Sequence, residues 1–461
     1  MAMNSTIRTL IILCLLLLSA FSCAQVLTGT PPFNSFGGSS LDMINLGNLN
    51  IHVTIPIVSR PGRGLPFNYS LTYDSSIWYP TGSSGSESWQ TVNNDWGWSN
   101  QSEGIPGYVN FQTSSSPCYA NGHQIGAVAY IGPWTYYAPD NTTHLFSGEL
   151  INVGNCPGTN VTSFTSVATD NSGLTLQVTN NGTNVLLIRP NGVQIAVPKF
   201  STGGSGTASA VSTDTNGNQI TSTGTVQSLT YTDTLNVSAL AISGYAPNNV
   251  LLTYPGPSGN VSTTLSYTTY TIKTNFGCLD SGGHAIAEYT STGTVPLLTA
   301  IILPDDTAQV PHRYTITYEE TPGYSSSYST GRIASITTPN GGVISYTYTG
   351  GSNGVVCSDG STAGLMRFTS DGDSQHYWNY SRTQTSQAPN PIRWQTTTTN
   401  PQSDQSIYTF EVVSSNFYEE QRKVHTNPEI LYDPAYVLIS MQHCVNYPCH
   451  HTHTCKAYRA L

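Results

Sequence analysis

The 461-residue sequence predicts an all-β protein, an antiparallel array of hairpins preceded by an aromatic-rich β module. Three observations predict it. Past the first two dozen residues no stretch carries a convincing 3.6-residue apolar period, whereas short runs alternating apolar and polar recur throughout. Between about residues 160 and 270, turn residues punctuate those runs roughly every ten residues, the spacing of all-β architectures. Finally, the same Pro-Asn/Asp turn recurs at four places, each time between an apolar strand and one of β-branched and aromatic residues.

The clearest turn lies in Gly331–Gly350, GRIASITTPNGGVISYTYTG. Pro339, Asn340 and Gly341 supply it: proline presets φ, and Asn and Gly tolerate left-handed conformations. After it, Ile344, Tyr346 and Tyr348 share one parity, as in a half-buried strand. Before it, Ile333 and Ile336 differ in parity, which calls for a bulge or burial on both faces. Pro139-Asp140-Asn141, Pro190-Asn191-Gly192 and Pro304-Asp305-Asp306 repeat the pattern. A lone hairpin is marginal in water, so repetition implies hairpins that cover one another's apolar faces.

The stretch GRIASITTPNGGVISYTY resembles a YD repeat of the RHS and teneurin-like proteins, matching at Gly331, Arg332, Ile333, Ile336, Pro339, Asn340, Gly341, Tyr346 and Tyr348. Asp214-Thr215-Asn216-Gly217-Asn218 is similar to a turn of the same repeats, and Asn45–Asn50, Pro61–Phe67 and Leu71–Asp74 resemble the N-terminal region of secreted bacterial RHS-type proteins. The resemblance implies a large β-sheet shell or scaffold rather than a reaction. It also implies that the chain is the N-terminal part or a truncated form of a longer shell. Self-cleavage and toxin cargo do not carry over, since Tyr432-Asp433-Pro434 lacks the glycine of the closing segment.

Composition agrees with a β surface outside the cell. Only 9% of residues are charged, and a net charge of −10 with 15 Lys plus Arg argues against a phosphate-backbone binder. Residues 1–24 are read as a signal peptide: Arg8 precedes the apolar run Leu10–Leu18, which is too short to span a bilayer comfortably, and Ser22-Cys23-Ala24 offers a cleavage site after Ala24. Acylation at Cys23 is the lipoprotein alternative. No later run approaches transmembrane length, so a secreted or surface-attached product is expected.

Residues 25–160 are expected to form the N-terminal module. Its opening stretch, to residue 48, is polar and Gly-rich; Leu49, Ile51, Val53, Ile55 and Ile57 then alternate with polar residues, and Pro56 suggests an edge strand. Five of the seven tryptophans lie at 78–134. They fill a core, or Trp89, Trp96 and Trp98 form a sugar-stacking platform. Residues 161–355 are expected to be the hairpin array, 356–424 further strands, and 425–461 an irregular tail. Within the array, Ser201–Ser209 reads as a flexible loop or boundary.

Cys118, Cys156, Cys278 and Cys357 fit two disulfides in an oxidising compartment, with three pairings open; Cys118–Cys156 closes the shorter loop and leaves Cys278–Cys357. Free buried thiols are the other reading. In the tail, His443, Cys444, Cys449, His450 and Cys455 crowd together, but their spacing matches no established zinc finger. No cofactor is implied. No nucleophile elbow, zincin helix or phosphate loop occurs, and Asp305-Asp306 reads as a turn rather than as a carboxylate pair. The Asp214 loop has calcium-like opening spacing without the glycine or closing Glu, and also reads as a turn. His284, His312 and His376 are scattered. The expectation is an exported, non-enzymatic scaffold that encloses, displays or adheres, with cell-surface or glycan partners or the rest of a larger shell. A secreted carbohydrate-binding or carbohydrate-active protein is the alternative.

Overall fold

The computed structural model of the chain describes residues 28–31, 34–62, 65–92, 95–102, 104–140, 142–201, 210–225, 227–370, 375–413, 416–425 and 437–440. Ala24, Cys23 and the Cys/His cluster at 443–455 lie outside them. Within them every regular element is a β-strand. From Phe164–Val167 onward each strand pairs with the next in the chain, as far as Val437–Ser440, to give one 20-stranded sheet. Lys199–Ser201 leaves this path and pairs, parallel, with residues 109–111 of the preceding module. The sheet passes through residues 355 and 356 without a break, because Val343–Thr349 pairs with Gly364–Ser370.

All four Pro-Asn/Asp turns join adjacent antiparallel strands: Tyr137 faces Thr143, Ile188 faces Gln194, Ile302 faces Arg313 and Thr337 faces Val343. The parity break before Pro339 is resolved by shifts in register against Arg313–Glu320, where Thr317 faces Ser335 but Tyr318 faces Ile333. The irregularity lets Ile333 and Ile336 both point into the core, each 0% exposed.

The N-terminal module contributes a sheet built from Phe36–Gly38, Asp42–Asn45, Ile51–Arg60, Phe67–Asp74 and Trp98–Ser102. Ile51–Arg60 is central in that sheet, not an edge strand. Pro56 is accommodated because the pairing with Asp42–Asn45 stops at Val53 and the register against Phe67–Asp74 shifts at Pro56. A second sheet is dominated by the long hairpin of Tyr108–Ala120 and His123–Tyr137. Its tip is exposed on both faces and is tied back by the Cys118–Cys156 disulfide.

Buried side chains of the module and the array form one hydrophobic cluster, running from Ile44 to Phe417. The array's inner face therefore lies on its own N-terminal strands. Strands with an apolar inner parity need such a cover, and here the same chain supplies it.

Candidate functional site

The tryptophans that the sequence offered as a sugar platform are packed inside. Trp89 is 0% and Trp96 8% exposed. Trp78 and Trp89 sit on paired strands, Trp78–Thr81 and Ser88–Thr91, and the second is drawn inward by a bridge from Ser88 to Ala287. The excursion 274–289 then lays Phe276 5.0 Å from Trp89 and Tyr289 5.1 Å from Trp78, ring centre to ring centre. Trp98 is half-buried and donates from Nε1 to the Tyr318 hydroxyl at 2.8 Å. The platform expectation is thus corrected: these rings face partners from a distant part of the chain, which local composition did not reveal. Aromatics of this size stabilise chiefly by burial.

Two buried arginines, Arg367 and Arg382, fasten the array to the module from inside, and a third, Arg332, braces the array's own strands. Arg367 grips Asp42 with two hydrogen bonds, 2.5 and 2.7 Å, while the Tyr346 hydroxyl donates to the same carboxylate at 2.8 Å. Arg332 pairs with Glu319 at 2.8 and 2.9 Å and stacks on the Tyr348 ring at 3.9 Å. Arg382 lies 3.6 Å above the Trp394 ring and donates to the Gly47 carbonyl at 2.7 Å. Backbone contacts complete the seam: Tyr73 accepts from Ile333 N–H at 2.9 Å and Trp78 donates to the Thr330 carbonyl at 2.8 Å. Burial and the surrounding phenols push the Tyr73 hydroxyl well above its ordinary pKa, so it stays protonated. The YD-like stretch is therefore held by residues the N-terminal module contributes.

One cluster has the connectivity of a nucleophile, a base and an orienting acid. Thr142 Oγ1 lies 2.9 Å from His144 Nε2, and His144 Nδ1 lies 2.6 Å from Asp170 Oδ2. Nearby, Asp74 Oδ1 accepts from Asn50 Nδ2 at 2.6 Å and from Gly29 N–H at 2.8 Å, and lies 3.1 Å from His52 Nδ1. Burial pulls the His52 pKa down, but the Asp74 charge and hydrogen bond, with the Asp140 charge, overcome it and leave it raised. Burial likewise opposes ionisation of Asp170, yet hydrogen bonds from His144 and Ser172 hold its pKa down at about 2. Chemically the arrangement is a closed polar joint. Thr142 and His144 are 5% and 6% exposed, and the Thr142 hydroxyl also donates to Asp140 at 2.5 Å. Scattered through the sequence as single residues, these groups gave no signal there.

The remaining sites resolve as structure. Cys118–Cys156 and Cys278–Cys357 form the two disulfides, the pairs expected from loop length. Asp214 is a turn residue, its carboxylate accepting from Asn216 N–H and Asn218 N–H at 2.8 Å each. Asp305 pairs with His312 and Asp306 with Arg313, both at the foot of their turn. Among the described residues no three His, Cys, Asp or Glu side chains converge as a metal site, and no helix is long and apolar enough to cross a membrane. Set against known proteins, the chain matches no family model and no curated protein.

Proposed function

We propose that the chain is an exported, non-enzymatic β scaffold of RHS/YD-repeat type whose outer surface displays or adheres. The observation that carries this reading is the occupied inner face. Asp42, Leu46 and Gly47 of the N-terminal module are bound by Arg367, Thr396 and Arg382 of the array, so the space a shell would enclose is filled by the chain itself. What remains for contact is an outer face of Ser, Thr, Asn and Tyr with few charges. Two disulfides fit an oxidising compartment outside the cytosol. The YD-like motif at 331–348 and the signal-like segment at 1–24 support the family and the export route.

The full chain should be exported when expressed with residues 1–24 in place and should bind cell surfaces saturably, with no turnover across a panel of ester, peptide and glycoside substrates. Hydrolysis abolished by Thr142→Ala or His144→Ala would replace the scaffold with an enzyme.

A further inference from the structure

The outer face of the array carries a concavity of about 290 Å³ where the strands Gly364–Ser370, Gln375–Ser386 and Arg393–Thr399 meet the turn at 400–404. Met366, Asn379 and Thr399 stand directly opposite one another across the three strands and so share a face. Tyr377, two residues from Asn379, is on that face too; it is 51% exposed and its ring centre lies 4.9 Å from that of Phe368. Pro401 and Ser403 border the concavity from the turn. Trp378 also borders it, with its ring packed on the buried Arg367 guanidinium at 4.9 Å.

Two properties set the ligand chemistry. Met366, Tyr377 and Pro401 give an apolar ledge, beside which the Asn379 amide and the Thr399 and Ser403 hydroxyls make no hydrogen bond within the protein among the described residues. None of the lining side chains is charged. A neutral ring with one carbon–hydrogen face and a rim of hydroxyls satisfies both halves of that surface, whereas an ion would be desolvated without a counter-charge.

The turn adds an independent sign of function. Six turns in the array share one geometry, in which the first residue's N–H donates to the fifth residue's carbonyl and its own carbonyl accepts from the fourth. The fourth residue is left-handed in each: Gly192, Gly217, Asn236, Gly283, Gly341 and, at φ 68°, Ser403. A serine there is strained relative to glycine, and this is the one whose side chain lines the concavity. The strain is held by Asn400, whose side-chain oxygen accepts from Gln402 N–H at 3.0 Å and Asp404 N–H at 2.8 Å.

We propose that this face binds an uncharged sugar residue of a glycan, with Asn379, Thr399 and Ser403 bonding its hydroxyls and Met366, Tyr377 and Pro401 covering its apolar face. The role goes beyond the scaffold reading, which stands if the site fails. The test is the full chain on a printed array of neutral, sialylated and sulfated glycans, followed by calorimetry with the best neutral ligand. Neutral glycans are expected to bind, Asn379→Ala to weaken binding at least tenfold, and Tyr119→Ala, on the distant exposed hairpin, to leave it unchanged. Ser403→Gly should raise the melting temperature while weakening binding severalfold, a split that a purely structural serine would not give. No retention of neutral glycans, a preference for charged ones, binding unchanged in Asn379→Ala, or loss of binding in Tyr119→Ala would each overturn the site.

Discussion

At the scale of single residues, the polar side chains that matter here are those facing inward. His52 and Asp170 are ionisable groups placed where burial opposes charge, and at each a partner shifts the balance back towards the charged form. Their pH dependences have opposite signs. His52 has a raised folded pKa, so its contribution is full below the ordinary 6.5 and is lost as pH climbs through the raised value. Asp170 has a lowered one, so its contribution is full above the ordinary 3.8 and is lost as pH falls through about 2. Urea midpoints for wild type and His52→Asn should therefore differ most near pH 5 and converge on the alkaline side; curves that stay parallel to pH 9 would dismiss the pairing. None of this was legible in the sequence. A histidine in a strand carries no mark of the carboxylate that a fold brings to it from 22 residues away. The tryptophans left core and platform both open for the same reason, since exposure is decided by Phe276 and Tyr289, which arrive from another part of the chain and bury them.

At the scale of elements, the sequence was more informative. Turn chemistry is local, so Pro190, Pro304 and Pro339 marked real hairpins, and the alternation of Ile344, Tyr346 and Tyr348 marked a strand with its inner face. One detail differs: Asn and Gly were both credited with left-handed backbone, but only Gly341 takes it, at φ 85°, while Asn340 does not. A type I turn followed by one left-handed residue needs a single permissive position. The assignment of Pro56 to an edge failed because the short partner strand Asp42–Asn45 cannot be seen from Ile51–Arg60 alone. That partner matters to the array as well, because it carries Asp42. Arg367→Ala strands this carboxylate in the core and should cost about 3–5 kcal/mol in urea unfolding. Replacing the whole group with Asp42→Leu, Tyr346→Phe and Arg367→Met should recover most of the loss, since no charge is then left unpaired. A cost below about 1 kcal/mol for Arg367→Ala would mean the clamp is not buried as described.

At the scale of the whole molecule, an all-β antiparallel architecture is legible in the sequence but the relation of its parts is not. The N-terminal strands are the filling of the array rather than a separate cap, and no local pattern announces which face of a sheet another segment will cover. The Cys278–Cys357 bridge, whose cysteines stand 79 positions apart in the sequence, encloses the strands Thr290–Ile302, Arg313–Glu320, Tyr328–Thr337 and Val343–Thr349. If the outer surface holds on to something while the chain is pulled, tension along the backbone enters at Cys278 and leaves at Cys357, and those four strands are loaded only through their hydrogen bonds to neighbours outside the bridge. Stretched singly between its ends, the oxidised molecule should extend only through the segments outside its two bridges. Adding a reductant should release roughly a further 390–420 Å, at about 3.3–3.6 Å for each of the 79 positions of this loop and the 38 of the Cys118–Cys156 loop, with the larger step belonging to this one. The segment most like a repeat would then be the last to give way in an oxidising medium, a mechanical reserve set by a single covalent bond.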